Sequence, residues 1–263
     1  MKTPKNYYRL KKISEIIDQA KKQSPEFTLS FTSSSASLDI LNNKFWFIDQ
    51  SSNTRALRIH NRIKKEIGDL HADIEQKADF FDFSGLGKNT PKNCFCVDIN
   101  SAYLTALKNE GLIKPNTYEQ VMKSTQGKNR KMDRLKAIGL FASCKIKMDY
   151  IQGEPQNLKL IENPQNWVFW LACQRTTEAM QKIRELMPED YLCYWVDGIF
   201  LKGNPYQAQE ILKEMGFNSK IEKITDLKKT DKRLTYLKDG IKKILFLPKK
   251  NLEFKQIKNS IKL

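Results

Sequence analysis

Two aspartates set inside apolar runs restrict what this sequence can fold into more than any other feature. Asp98 follows Phe95-Cys96-Val97 and precedes Ile99, while Asp197 lies between Trp195-Val196 and Gly198-Ile199-Phe200. Short runs of this kind read as strands that seek the interior. An ionised carboxylate resists burial, because it is costly to desolvate without a positive partner. Each strand must therefore stop where its aspartate meets solvent, a basic group or a cation. Taken singly, either residue is also accounted for as a turn aspartate. A pair brought together invites a divalent ion held by hard oxygen donors, and two Mg²⁺ or Mn²⁺ ions in such a place support nucleotidyl transfer by in-line displacement.

The rest of the chain supplies a frame for those strands. Apolar positions at helical spacing predict a helix over residues 7–22, ending before Pro25. Strands are expected at 27–31 and 44–48, with a serine-rich turn between them, and a second helix at 55–70 with Arg58, Arg62, Lys64 and Lys65 on its polar side. Residues 79–93, rich in Gly, Asp, Asn and Pro, read as a loop and as the internal boundary, with Gly85 and Gly87 as punctuation. Beyond it come a strand at 95–99, the start of a helix at 101–107, and helices at 117–122 and 130–144. A long helix at 167–186, a hairpin at 191–201 turning at Asp197, a helix at 206–215 and a hairpin at 233–247 turning at Asp239-Gly240 complete the series. That order predicts an α+β fold in which an antiparallel sheet is backed by helices. Residues 1–90 are expected to form a basic helical and strand region of unassigned role, and 91–263 a second domain.

Charge narrows the partner. Among 263 residues, 46 Lys and Arg outnumber 30 Asp and Glu, giving +16, and 40% of the residues are hydrophobic. The apolar fraction suffices for a core and excludes a disordered basic tail. The charge suits a polyanion, with DNA or RNA favoured over anionic lipid because no basic amphipathic anchor stands out. No run approaches the roughly 20 apolar residues of a membrane span, and the first residues lack the apolar core of a signal peptide; a cytoplasmic, monomeric protein is expected. Five cysteines without CxxC spacing point to buried thiols rather than disulfides or zinc. Two histidines leave little for histidine chemistry.

Asp98-Ile99-Asn100-Ser101-Ala102-Tyr103 resembles the D-x-x-S-x-Y signature of family B DNA polymerases and is most similar to the protein-primed phage branch. The resemblance implies that Asp98 and the Ile99 carbonyl bind metal, that the backbone at Ser101 and Ala102 grips the triphosphate, and that Tyr103 packs under the sugar and excludes a 2′-hydroxyl. A second stretch, residues 131–143, keeps the family's Lys (Lys131), Gly139 and Phe141-Ala142-Ser143, but has Leu135-Lys136 and Ile138 in place of Asn-Ser and Tyr. Lys131, with Arg130 and Arg134, is thereby implied to neutralise triphosphate charge. Trp195-Val196-Asp197-Gly198 is similar to the Asp-Thr-Asp-Ser hairpin; Asp197 keeps the second, metal-binding aspartate and Trp195 replaces the first. The long helix ahead of that hairpin, and a Lys-rich hairpin with Lys238, Lys242 and Lys243 at the primer end, extend the likeness over residues 95–248.

The resemblance implies a polymerase palm with short helical fingers at about 108–145 and a residual Lys-rich thumb at 249–263. The 94 residues ahead of Phe95 are read as too few for a proofreading exonuclease. The implied activity is template-directed DNA polymerisation with two Mg²⁺ or Mn²⁺ ions, acting on a DNA primer-template and dNTPs. A terminal protein or another replication protein is the implied partner, and a phage or mobile element replicating in a bacterial cytoplasm the implied source. Two alternatives stay open: a catalytically inactive palm that binds nucleic acid at replication initiation, and a primase or terminal transferase on the same palm.

Overall fold

A computed structural model describes residues 5–31, 35–48, 54–87, 93–127, 130–230 and 233–246. In chain order the first elements are α1 (Lys5–Gln23), β1 (Phe27–Phe31), β2 (Ser35–Ile40), β3 (Asn43–Ile48), α2 (Thr54–Ile67) and β4 (Phe81–Asp82). Then follow β5 (Asn93–Ile99), α3 (Ala102–Asn109), α4 (Pro115–Ser124), α5 (Lys131–Gly139), β6 (Cys144–Ile151), β7 (Glu154–Glu162) and α6 (Asn166–Leu186). The last are β8 (Tyr191–Trp195), β9 (Gly198–Leu201), α7 (Pro205–Glu214), β10 (Ser219–Thr230), β11 (Arg233–Lys238) and β12 (Ile241–Phe246). The fold is mixed α+β with two antiparallel sheets. Residues 1–76 and 111–170 make one unit, and 77–110 with 171–263 the other, so the units interleave where the sequence reading divides the chain once, near residue 90.

The first unit holds a five-stranded sheet in the order β3-β2-β1-β6-β7. Strand alternation puts Phe27, Leu29, Ala36, Leu38, Ile40, Met148 and Tyr150 on one face, and Ile16 and Ala20 of α1 pack there. β2 stands where a serine-rich turn is expected. Its serines disguise the strand: Ala36, Leu38 and Ile40 are buried on one face, and Ser37 between them is buried as well. α5 stops at Gly139 rather than at 144, and β6 and β7 follow it as a hairpin the sequence reading does not contain. β7 is exposed along its whole length, so burial imposes no apolar alternation on it. α2 packs on α5 through a buried stripe at Ala56, Ile59, His60, Ile63 and Ile67. Glu66 at the end of α2 accepts from the Lys114 N–H at 2.8 Å and from the Thr117 hydroxyl, satisfying the start of α4.

The second unit holds a seven-stranded sheet in the order β12-β11-β10-β5-β9-β8-β4, with α7 packed on β5 and β10. β10, absent from the sequence reading, is the longest strand. It bulges between Thr225 and Lys228, so Ile224 and Leu227, three residues apart, both enter the same core cluster with Cys94, Cys96, Cys193, Phe200 and Leu234. A spacing of three mimics a helix and hides the strand. Cys94, Cys96, Cys173 and Cys193 are buried free thiols, as expected. No helix among the described residues is long and apolar enough to cross a membrane. The Lys-rich segment 249–263 lies outside the described residues.

Candidate functional site

Sheet pairing brings the two aspartates together. β5 runs between β9 and β10, and Asp98 is registered against Gly198 on one side and Lys220 on the other. The turn joining β8 to β9 carries Asp197, whose carbonyl accepts from the Ile99 N–H at 2.8 Å. Asp197 is thus fixed one residue along from Asp98 across the ladder. Val196, immediately before it, has φ of 55°, a left-handed backbone that costs an ordinary L-residue about 1–2 kcal/mol and suits a β-branched one least. Ser101, three residues after Asp98, is also left-handed, with φ 55° and ψ 46°. Strain of this sort persists only where surrounding structure over-determines it, and both instances flank the carboxylate pair.

Charged groups from β10 and β11 complete the surface. Asp98 shares its face of β5 with Cys96, by strand alternation. Lys220 Nζ lies 3.1 Å from Asp98 Oδ2 and 2.6 Å from Glu222 Oε1, and Lys238 Nζ lies 2.5 Å from the same Glu222 oxygen. Burial alone raises the Glu222 pKa, but the hydrogen bonds from Lys220 and Lys238 outweigh it and hold the carboxyl below the usual carboxylate range. Cys96 feels all three carboxylates: burial first, then the charges of Asp98, Glu222 and Asp197, push its thiol far up, so it is no nucleophile. Burial likewise lifts the Tyr236 hydroxyl to about 12. Gly198 keeps space open beside Asp98, since a Cβ there would sit 3.6 Å from Asp98 Oδ1 and 3.4 Å from the Cys96 sulfur.

Helix α3 starts from this edge. Its N-cap, Ser101, makes no side-chain capping hydrogen bond, so the first amides of α3, at Ala102 and Tyr103, are left uncapped by that side chain. Asn100 is held by its N–H to the Asn218 carbonyl at 2.8 Å, and the Thr105 hydroxyl donates to the Asn100 carbonyl at 3.2 Å. Amides at a helix start favour phosphate oxygens. Tyr103 is half-buried, and its hydroxyl shares a hydrogen bond with Cys173 of α6. Burial, with the nearby Cys173 and Asp197, raises its pKa far above the ordinary value, which keeps it a neutral phenol at any working pH.

The structure therefore gathers Asp98, Ile99, Ser101, Ala102, Tyr103, Asp197 and Lys238 in one unit. Lys242 and Lys243 belong to it too, exposed on the edge strand β12, whereas Lys238 is already engaged with Glu222. Arg130, Lys131 and Arg134 belong to the other unit. Arg130 and Lys131 are exposed at the start of α5. Arg134 donates to the Thr125 hydroxyl at 2.8 Å and its carbonyl at 3.2 Å, tying α5 to the end of α4. Ile138, at the position where the resemblance has a tyrosine, is 1% exposed inside its unit. Sequence reasoning missed Lys220 and Glu222, because the strand that carries them was not read as a strand.

Among the described residues no group of three or more His, Cys, Asp or Glu is gathered as a metal site. The donor set present is two aspartates with neighbouring backbone carbonyls. That set fits Mg²⁺, which takes one or two carboxylates and completes its shell with water and substrate phosphates.

No family model matches this chain. No curated protein matches it either. Among solved structures it aligns with the BmCPV RNA-dependent RNA polymerase at elongation state, at 10% identity and a TM-score of 0.22, over 87% of this chain and 22% of that one. The chain thus spans about a fifth of that polymerase's length, and a likeness at this score carries no argument about fold or function.

Proposed function

We propose that this protein is a template-directed DNA polymerase of family B type that adds nucleotides to a primer 3′-hydroxyl at the Asp98–Asp197 centre. The observation that carries the reading is the ladder between β5 and the β8–β9 turn, where the Ile99 N–H meets the Asp197 carbonyl at 2.8 Å and Asp98 faces Gly198. Backbone pairing sets the two aspartates at one end of the ladder, next to the left-handed residues Val196 and Ser101, and hard oxygen donors so placed suit a divalent ion. Asp98, Asp197 and the Ile99 carbonyl would hold the divalent ions, which when bound would supply activation of the 3′-hydroxyl and charge neutralisation on the triphosphate. The chain's own groups do the rest. The amides at the start of α3 bind phosphate, and Tyr103, fixed by its hydrogen bond to Cys173, presents its ring to the sugar. Lys242 and Lys243, exposed on β12, hold the primer-template backbone. A palm-like architecture, with the seven-stranded sheet as its floor, belongs to the same proposal.

The test is extension of a labelled primer with Mg²⁺ and dNTPs. Asp98→Asn and Asp197→Asn are each expected to abolish extension, and Tyr103→Val to admit ribonucleotides. If both aspartate variants extend as well as the parent, the assignment is wrong. A second reading, a catalytically inactive palm that binds nucleic acid, is favoured by one observation: Lys220 already sits on Asp98. It predicts DNA binding with no incorporation under any metal, with or without a primer.

A further inference from the structure

Lys220 stands where a cation belongs. It lies directly across the β5–β10 ladder from Asp98, with Nζ 3.1 Å from Asp98 Oδ2 and 2.6 Å from Glu222 Oε1. Glu222, two residues along the same strand and therefore on the same face, also takes Lys238 at 2.5 Å. The Lys220 ammonium thus has two carboxylates within reach, and only one of them belongs to the proposed ion-binding pair. Asp98 keeps a second oxygen turned toward Gly198, where the missing side chain leaves room. An ammonium and a divalent ion on one carboxylate repel each other at short range, so one weakens the other.

We propose that Lys220 is a built-in counter-cation of the nucleotidyl-transfer centre: it neutralises Asp98 while no divalent ion is bound and moves onto Glu222 when one enters. Glu222 is then a positioning residue that sets how readily Lys220 leaves. The inference rests on the reading of Asp98 and Asp197 as ion ligands, and it predicts that the protein itself restrains ion binding before substrate arrives.

The experiment is titration of the full chain with Mn²⁺ alone, without DNA or nucleotide, with free Mn²⁺ followed by electron paramagnetic resonance. Lys220→Met, which keeps length and loses charge, is expected to bind Mn²⁺ about tenfold tighter than the parent. Lys220→Arg, which keeps the charge, stays within about twofold, and Glu222→Gln binds about threefold more weakly because Lys220 then has only Asp98. Lys220→Gln repeats the measurement should the methionine variant fail to fold, as judged by its thermal transition. Binding that Asp98→Asn removes but Lys220→Met and Lys220→Gln leave unchanged or weaken overturns the counter-cation alone. Absence of any Asp98-dependent Mn²⁺ binding across the series overturns the ion-binding reading and this inference with it.

Discussion

At Gly85 a single hydrogen decides whether two segments can meet. A Cβ there would lie 2.4 Å from the Tyr191 carbonyl oxygen and 2.9 Å from that of Leu192, both backbone atoms at the start of β8. Nearby, Asp82 accepts from the Ser84 hydroxyl at 2.6 Å, the Tyr191 hydroxyl at 2.7 Å and Arg184 at 3.2 Å, so the segment is pinned on both sides and has little freedom to retreat. Gly85→Ala is therefore expected to destabilise the protein by about 2–3 kcal/mol, the range for overpacking against atoms that cannot yield. Gly87→Ala, with nothing within 4 Å, is the matched control and should be near neutral. Urea midpoints for the two variants compare them directly, and equal midpoints would show that the segment is not held against β8. In the sequence the two glycines look alike, since both fall in a polar loop. What separates them is a contact with a strand more than a hundred residues away, which no local pattern reports.

At the scale of elements, α2 and α5 meet around a buried histidine. His60 is 8% exposed, its Nδ1 lies 3.1 Å from the Ala137 carbonyl as donor, and its ring stands 4.3 Å from Phe141. Burial, only partly offset by the Ala137 contact, lowers its pKa from 6.5. The sign follows: the unfolded chain takes up the proton first, so the neutral ring's contribution is fully present above about pH 6.5 and is lost as pH falls toward the lower folded value. Unfolding free energy should decline as the pH is lowered from about 7 toward 5, and His60→Gln should flatten that part of the curve. Carboxylates such as Asp82 and Glu222, whose folded pKa values are depressed, lose their contribution only at lower pH and do not overlap this window. An unchanged pH profile in His60→Gln would remove the histidine from the account. How far such elements can be read from sequence depends on what they bury. α1, α6 and β5 carry clean periodicities and were legible. β2, β7 and β10 were not, because one is masked by serines, one buries nothing, and one is bulged into helical spacing. The candidate site inherits the same split: Asp98 and Asp197 announce themselves by their apolar settings, while Lys220 and Glu222 emerge only once β10 is placed beside β5.

For the whole molecule, 46 basic against 30 acidic residues suit the proposed DNA partner, but not every cation counts equally. Lys220 and Lys238 are held by Asp98 and Glu222, so binding a phosphate with either one first costs an internal pair. Lys242 and Lys243 are exposed on β12, successive residues that face opposite sides of an edge strand. Each phosphate neutralised on duplex DNA releases counterions and adds about −0.9 to the slope of log K against log salt. If the parent makes six or more such contacts, its affinity for a primer-template should fall by about a thousandfold or more between 50 and 200 mM salt. Replacing Lys242 and Lys243 together by alanine should then flatten the slope by about 2, roughly one unit for each lost phosphate contact. Lys238→Ala should leave the slope close to the parent's, because that ammonium belongs to Glu222 before DNA arrives. Fluorescence anisotropy of a labelled primer-template across a salt series measures all three slopes. A Lys238→Ala slope that falls as much as one for an exposed lysine would mean that DNA takes this cation from Glu222, and the charge ladder on the sheet would then be part of the DNA surface rather than its floor.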